Sequence, residues 1–185
     1  MLSDVGEFKT FTDTLGKARE VTVFIYRHHW VLHLFRKFTK QRELTRPAIT
    51  RFATAYLTLK SFHERKYRLR AMFASEEWGT SSYGKSLAGT KVQGIILYDR
   101  NFWKAIQFCM KCVLPLVHVL RLVDGDAKPA MGYIYEAMDR AKEKIASNLG
   151  HVKGRYERIW NIIDKRWDYQ LHRPLHAAAY YLNPK

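Results

Sequence analysis

Cysteine is nearly absent from this sequence. Cys109 and Cys112 are the only two in 185 residues, too few for the disulfide frameworks that hold small secreted domains together. Acids are scarce as well: 17 Asp and Glu stand against 32 Lys and Arg, a net charge of +15 with neutral histidines, so acidic partners are the leading expectation. No uninterrupted apolar run suits a bilayer. The most apolar stretch, Phe102 to Leu122, is broken by Lys104, Lys111, Pro115, His118 and Arg121, which are costly at membrane depth. The N-terminal MLSDVGEFKTF carries Asp4 and Glu7 and has no apolar centre, so it does not read as a secretory signal and an intracellular chain is expected. No internal repeat and no low-complexity tract is visible.

What is present points to a folded, helical protein. Hydrophobic residues make up 47% of the chain and aromatics 14%, enough apolar surface to offset the entropy of ordering it. The length fits one ordinary domain. Apolar residues recur at spacings of three and four while long alternating runs are rare, which predicts an all-α fold, mainly a helical bundle. A first helix is predicted from about Thr12 to Phe38, and the tract Gln41 to Pro47 ends it. A second starts near Ala48, with Ile49, Phe52, Ala53, Tyr56, Leu57 and Leu59 as its buried stripe. From Ser75 to Gly94 glycine and serine crowd together, and this stretch reads as a long flexible surface connection. Helical patterning resumes from Tyr98 to Val123, stops at Asp124-Gly125-Asp126 and restarts after Pro129, where proline suits a first helical turn. A break at Gly150 to Gly154 precedes an aromatic helix carrying Tyr156, Ile159, Trp160, Ile163 and Trp167.

The positive charge is concentrated. Between Arg27 and Met72 stand twelve Lys and Arg and only two acids, Glu43 and Glu64, so two thirds of the net charge lies in a quarter of the chain. A phosphate backbone suits such a surface, because each neutralised phosphate releases condensed counterions. His28, His29, His33 and His63 would add charge below their usual pKa of about 6.5. A solvated helix face, an acidic protein or an anionic membrane would be met by the same charges.

No constellation for catalysis emerges. Cys109-Met110-Lys111-Cys112 followed by His118 has one cysteine pair where a structural zinc site needs two spaced pairs, and it reads as small buried hydrophobes inside an apolar helix. Asp124-Gly125-Asp126 reads as a turn between helices rather than a cation site. Glu136, Asp139 and Glu143 share a helix face with Arg140 and Lys144 as on an ordinary solvated surface, and Glu76-Glu77 falls in the Gly- and Ser-rich stretch. His172 and His176 lack the glutamate of a metalloprotease helix, and nucleophile-elbow, P-loop and dinucleotide motifs are missing. Trp78 and Trp103 are aromatic candidates that serve equally as packing anchors.

The stretch REL-x-RPAITRFATAYLTLKSFHERKYRLRAMFASEEW, from Arg42 to Trp78, closely resembles the middle of plant transposase-like proteins of the hAT superfamily, cut-and-paste elements with an RNase H-like catalytic core. VTVFIYRHHWVLHLFRKFT, PLVHVLRLVDGDAKPAMGYIYEAMDRAKEKI and RYERIWNIIDKRWDYQLHRPLHAAAYYLNPK agree with it, so the resemblance extends from about Val5 onward. It implies a catalytic core whose three carboxylates hold divalent metal ions for DNA cleavage and joining. It also implies that those carboxylates lie outside residues 1–185, so that this piece is not an enzyme by itself and needs no cofactor. Residues 1–47 would be a helical remnant of the RNase H-like core, and 48–185 the helical insertion domain with the flexible stretch at about 75–94. Family members often show Thr-Arg-Trp near the entry to that domain. Thr50-Arg51-Phe52 occupies the matching place, which would make Arg51 a phosphate contact and Phe52 a stacking platform. The exchange of Trp for Phe is a departure that puts a flipped-base role in doubt, and Phe52 as a core residue of an amphipathic helix remains the other reading.

The expectation that follows is a truncated or domesticated hAT-type transposase fragment, nuclear, that binds DNA. Lys60, Arg65, Lys66, Arg68 and Arg70, with Arg51 and Phe52, would carry the contacts, positioning phosphates without reading sequence. DNA is the expected partner, with a second copy or full-length transposase-like relatives as further ones and no membrane. The alternative from another class is a helical interaction or dimerisation module docking through Tyr156, Trp160, Trp167, Tyr180 and Tyr181. A metal-dependent nuclease would need carboxylates from outside the chain.

Overall fold

The three- and four-residue spacing of apolar side chains is realised as helix after helix. The computed structural model describes residues 2–45, 52–123 and 133–171, together with 178, 181 and 182, and among them every regular element is helical. The all-α expectation holds. In chain order the helices are α1 (Leu2–Gly6), α2 (Lys9–Arg27), α3 (His29–Thr39), α4 (Phe52–Phe73), α5 (Glu76–Thr80), α6 (Ser82–Lys85), α7 (Leu87–Leu97), α8 (Arg100–Val123), α9 (Ile134–Asn148) and α10 (Lys153–Arg166), closed by one π-helical turn, Trp167–Leu171. The predicted start at Ala48, the Asp124-Gly125-Asp126 turn and the restart at Pro129 lie outside the described residues. Two compact units divide inside α8: an N-terminal unit, Glu7–Met110, and a C-terminal unit formed by Met1–Gly6 with Lys111–Lys185.

In the N-terminal unit α2, α3, α4 and α7 pack on one another around Val21, Ile25, Phe35, Phe62, Leu69, Phe73, Trp78 and Ile96, all buried. The single helix predicted over Thr12–Phe38 is in fact two. His28 is extended, with φ −112° and ψ 109°, and its ring lies 4.9 Å from both Phe24 and Tyr83. The interruption, in a stretch whose local pattern is continuous, coincides with a tertiary aromatic contact to Tyr83. The predicted end of that stretch is observed: Lys40 and Gln41 take left-handed φ values of 54° and 62°, and both amides turn back to the Arg36 carbonyl.

The Gly- and Ser-rich stretch read as a flexible connection is a staircase of short helices, α5 to α7. Each step is built alike. The hydroxyls of Ser75, Ser81 and Ser86 accept the amides of Trp78, Gly84 and Gly89 at 3.2, 3.0 and 3.0 Å, capping the three helices. Each hydroxyl also donates to the carbonyl three residues back, at Met72, Trp78 and Tyr83. Serine is there as an N-cap, and the same local geometry recurs at all three steps.

Asp99 begins α8. One carboxylate oxygen accepts the Phe102 amide at 2.9 Å and the other accepts the Lys17 ammonium at 2.6 Å, and the bond from Lys17 leads in holding the Asp99 carboxyl below the usual carboxylate range. Asp99→Asn keeps the cap and loses the ion pair, whereas Asp99→Ala loses both. In urea unfolding, Asn is expected to cost well under 1 kcal/mol, because the pair is partly exposed, and Ala about 1 kcal/mol more. Since the folded pKa is lowered, the ion-pair increment is complete above about pH 5 and is lost as pH falls below about 4.

The C-terminal unit packs α1, the second half of α8, α9 and α10 around Val5, Cys112, Leu116, Ile145 and Ile163, all buried. Pro115 stands inside α8, where it can offer no amide to the carbonyl of Lys111. The Asn148 side-chain amide, reaching over from α9, supplies that bond at 2.9 Å. Arg166 grips Asp4 with two bonds of 3.0 and 2.5 Å, which hold the Asp4 carboxyl well below its ordinary range. The predicted break at Gly150–Gly154 is observed as a left-handed pair, Gly150 at φ 72° and His151 at φ 56°. Among the described helices α8 is long and apolar enough, by length and composition, to cross a membrane, and nearly half of that stretch is buried within the protein.

Candidate nucleic-acid interface

The basic region begins on α3 and continues through the turn after it onto α4. That turn is tied down from several sides. The Glu43 carboxylate accepts the Tyr26 hydroxyl and, at 2.7 Å, the Arg36 Nε. The Leu44 amide donates to the Tyr26 hydroxyl at 2.9 Å, and the Thr45 amide to Ser61 Oγ at 3.1 Å. Leu44 itself is buried. Lys40 and Arg42 therefore project from a fixed backbone into solvent.

The predicted contact residues separate by role. Arg65 is mostly buried and is used within the fold: its guanidinium bonds the Arg42 and Ser61 carbonyls at 3.3 and 3.2 Å and the Glu64 carboxylate at 3.2 Å. Arg68 is exposed, yet it donates to the Phe38 carbonyl at 3.1 Å, one of the orphan acceptors at the C-terminus of α3. The Lys66 ammonium sits 5.4 Å from the Trp103 ring centroid, an attraction between cation and ring face. Lys60 lies 3.8 Å from the Glu64 carboxylate, one helical turn away. Arg70 is exposed with no carboxylate at ion-pair distance among the described residues. Arg51 lies outside the described residues, as does the side chain of Phe52, whose backbone opens α4.

Outward charge thus comes from Lys40, Arg42, Arg68 and Arg70, while Arg36 is paired with Glu43 and Lys37 with Glu77. Tyr67 stands among them, 82% exposed. Helical spacing marks it, since Phe62, Leu69 and Phe73 point inward from the opposite side of α4, a signal visible in the sequence but outweighed there by the count of charges.

The other candidates resolve into packing. Cys109 and Cys112 are buried, unbridged residues of α8, and burial pushes the Cys112 thiol up to about 12, so at neutral pH it stands as the protonated thiol of a packed side chain. Among the described residues no three His, Cys, Asp or Glu side chains gather as a metal site. Trp78 and Trp103 are both buried, and Trp103 Nε1 donates to the Ile96 carbonyl at 2.9 Å. Of the C-terminal aromatics, Trp160 packs on Tyr156 at 4.6 Å and donates to the Lys142 carbonyl, and Trp167 meets Tyr135 edge-on at 4.9 Å. Tyr181 is exposed, and Tyr180, His172 and His176 lie outside the described residues. A groove of about 740 Å³ between α8 and α9 is floored by Leu114, Pro115, Val119, Leu122, Ala137 and Ala141.

No family model, no curated protein and no solved structure matches this chain.

Proposed function

We propose that this protein binds DNA without strand-cleaving activity of its own, as a truncated or domesticated relative of hAT-type transposases working in the nucleus. The observation that carries the proposal is the outward-facing cationic surface of α3, the turn after it and α4, where Lys40, Arg42 and Arg70 face solvent and none of them forms an ion pair with a described acid, Glu43 beside Arg42 being taken by Arg36. Three solvent-facing cations, two on the turn after α3 and one on α4 among further Lys and Arg, suit a row of phosphates, and they position a backbone rather than select bases. The lineage rests on the resemblance of the run from Arg42 to Trp78 and of the three runs that agree with it. The second reading, an interaction module, draws on the apolar groove between α8 and α9, while most of its described aromatic residues are engaged within the C-terminal unit.

The test is fluorescence anisotropy of a labelled duplex oligonucleotide titrated with wild-type protein and with a triple variant, Lys40→Gln, Arg42→Gln and Arg70→Gln. These side chains are exposed, so circular dichroism is expected to be unchanged. The plot of log affinity against log salt is expected to flatten by about 0.9 for each phosphate that is no longer neutralised, between about 2 and 3 in total. An unaltered slope in a folded triple variant would remove this surface from consideration.

A further inference from the structure

We infer that the face of α4 centred on Tyr67 takes an unpaired DNA strand, with one base stacked on the phenol ring and the adjoining phosphates held by Arg68 on one flank and by Lys66 and Arg70 on the other. This deepens the DNA-binding reading above and rests on it. Among the described residues of the N-terminal unit Tyr67 is the most exposed aromatic ring. A tyrosine ring gives up favourable burial by standing in water, and this one has no ring or cation partner among the described residues. It occupies the middle of the solvent face of the helix, with exposed His63 one turn before it and exposed Arg70 one turn after.

Both flanks are fixed by neighbouring elements. Arg68 is anchored to the α3 terminus through the Phe38 carbonyl, and Lys66 is held over Trp103. The one acid of α4, Glu64, is already met by Arg65 at 3.2 Å and Lys60 at 3.8 Å, which offsets its repulsion of a phosphate. An aromatic platform between cationic rails is the arrangement that binds single strands, since every base offers a face for stacking and every linkage a charge. In a duplex those faces are stacked inside, beyond the reach of a ring on a convex helix surface. The geometry therefore favours the unpaired strand, with little dependence on its sequence.

The experiment compares the full chain with Tyr67→Ala and Tyr67→Phe on oligothymidine and on duplex DNA of equal length at one ionic strength. Tyr67→Ala is expected to weaken single-strand binding by about 5- to 150-fold, the range for removal of one stacked base, and to leave duplex binding as it was. Tyr67→Phe retains the ring and is expected to stay close to wild type. An oligonucleotide carrying 5-iodouracil should cross-link to Tyr67 in the wild type. If Tyr67→Ala matches wild type on both forms while both proteins still bind, the stacking role is overturned and the DNA-binding reading stands. If neither form binds the wild type, the DNA-binding reading itself falls, and the stacking role with it.

Discussion

Trp78→Ala is expected to lower the stability of the N-terminal unit by about 3–5 kcal/mol, the usual cost of emptying a fully buried aromatic site. Trp78 has no exposure to solvent. Its ring meets Phe73 edge-on at 4.7 Å and Phe24 at 6.1 Å, so one side chain of α5 joins the short-helix staircase to both α4 and α2. Such a loss is comparable with the whole folding free energy of many domains, and the urea midpoint should fall steeply. Trp78→Phe should behave differently. The indole Nε1 is buried without a hydrogen-bond partner among the described residues, and removing an unsatisfied donor offsets part of the cost of the smaller ring, so a change of about 1 kcal/mol is expected. Equal, mild effects of Ala and Phe would show that Trp78 does not anchor the staircase.

Gly89→Ala is expected to destabilise the same unit by about 3 kcal/mol, at the upper end for overpacking. A Cβ at Gly89 would lie 1.9 Å from the Tyr83 carbonyl oxygen, and one at Gly84 would lie 2.2 Å from that of Trp78. Both obstacles are backbone atoms, so no side-chain rotation relieves the clash. Gly94, on the same helix α7, provides the contrast, because a Cβ there meets nothing within 4 Å. Gly94→Ala should stabilise by about 0.5–1 kcal/mol through the ordinary preference of helices for alanine. Opposite signs for two Gly→Ala changes five residues apart in one helix, read from thermal or urea midpoints, are the expected result. If both stabilise, the close approach of α6 and α7 is wrong.

These glycines show where the sequence speaks and where it misleads. Spacings of three and four revealed the helical class, the tract from Gln41 to Pro47 the end of α3, and the glycines the break at Gly150, because each is a local matter of apolar pattern or backbone preference. Counting glycine and serine between Ser75 and Gly94 suggested a flexible connection, since composition cannot tell a glycine that permits freedom from one that permits close approach. The Ser-x-x-Gly spacing at Ser81 and Ser86 was the legible clue to capped helices. The break at His28 had no comparable clue, and the contact found there is with Tyr83, more than fifty residues further along.

The candidate interface was legible as a district rather than as a set of contacts. Charge density between Arg27 and Met72 marks the region, but Arg65 and Arg68 cap and brace the C-terminus of α3 and the turn beyond it, and Lys66 sits on Trp103. Only packing distinguishes those from Lys40, Arg42 and Arg70. For the same reason the C-terminal aromatics suggested a docking face, whereas Trp160 and Trp167 are held inside their own unit.

DNA binding through this surface is tested most directly by the salt dependence of wild-type affinity for duplex DNA. With Lys40, Arg42 and Arg70 each meeting a phosphate, the plot of log affinity against log salt is expected to be a straight line of slope about −3 or steeper. A slope near zero would contradict it.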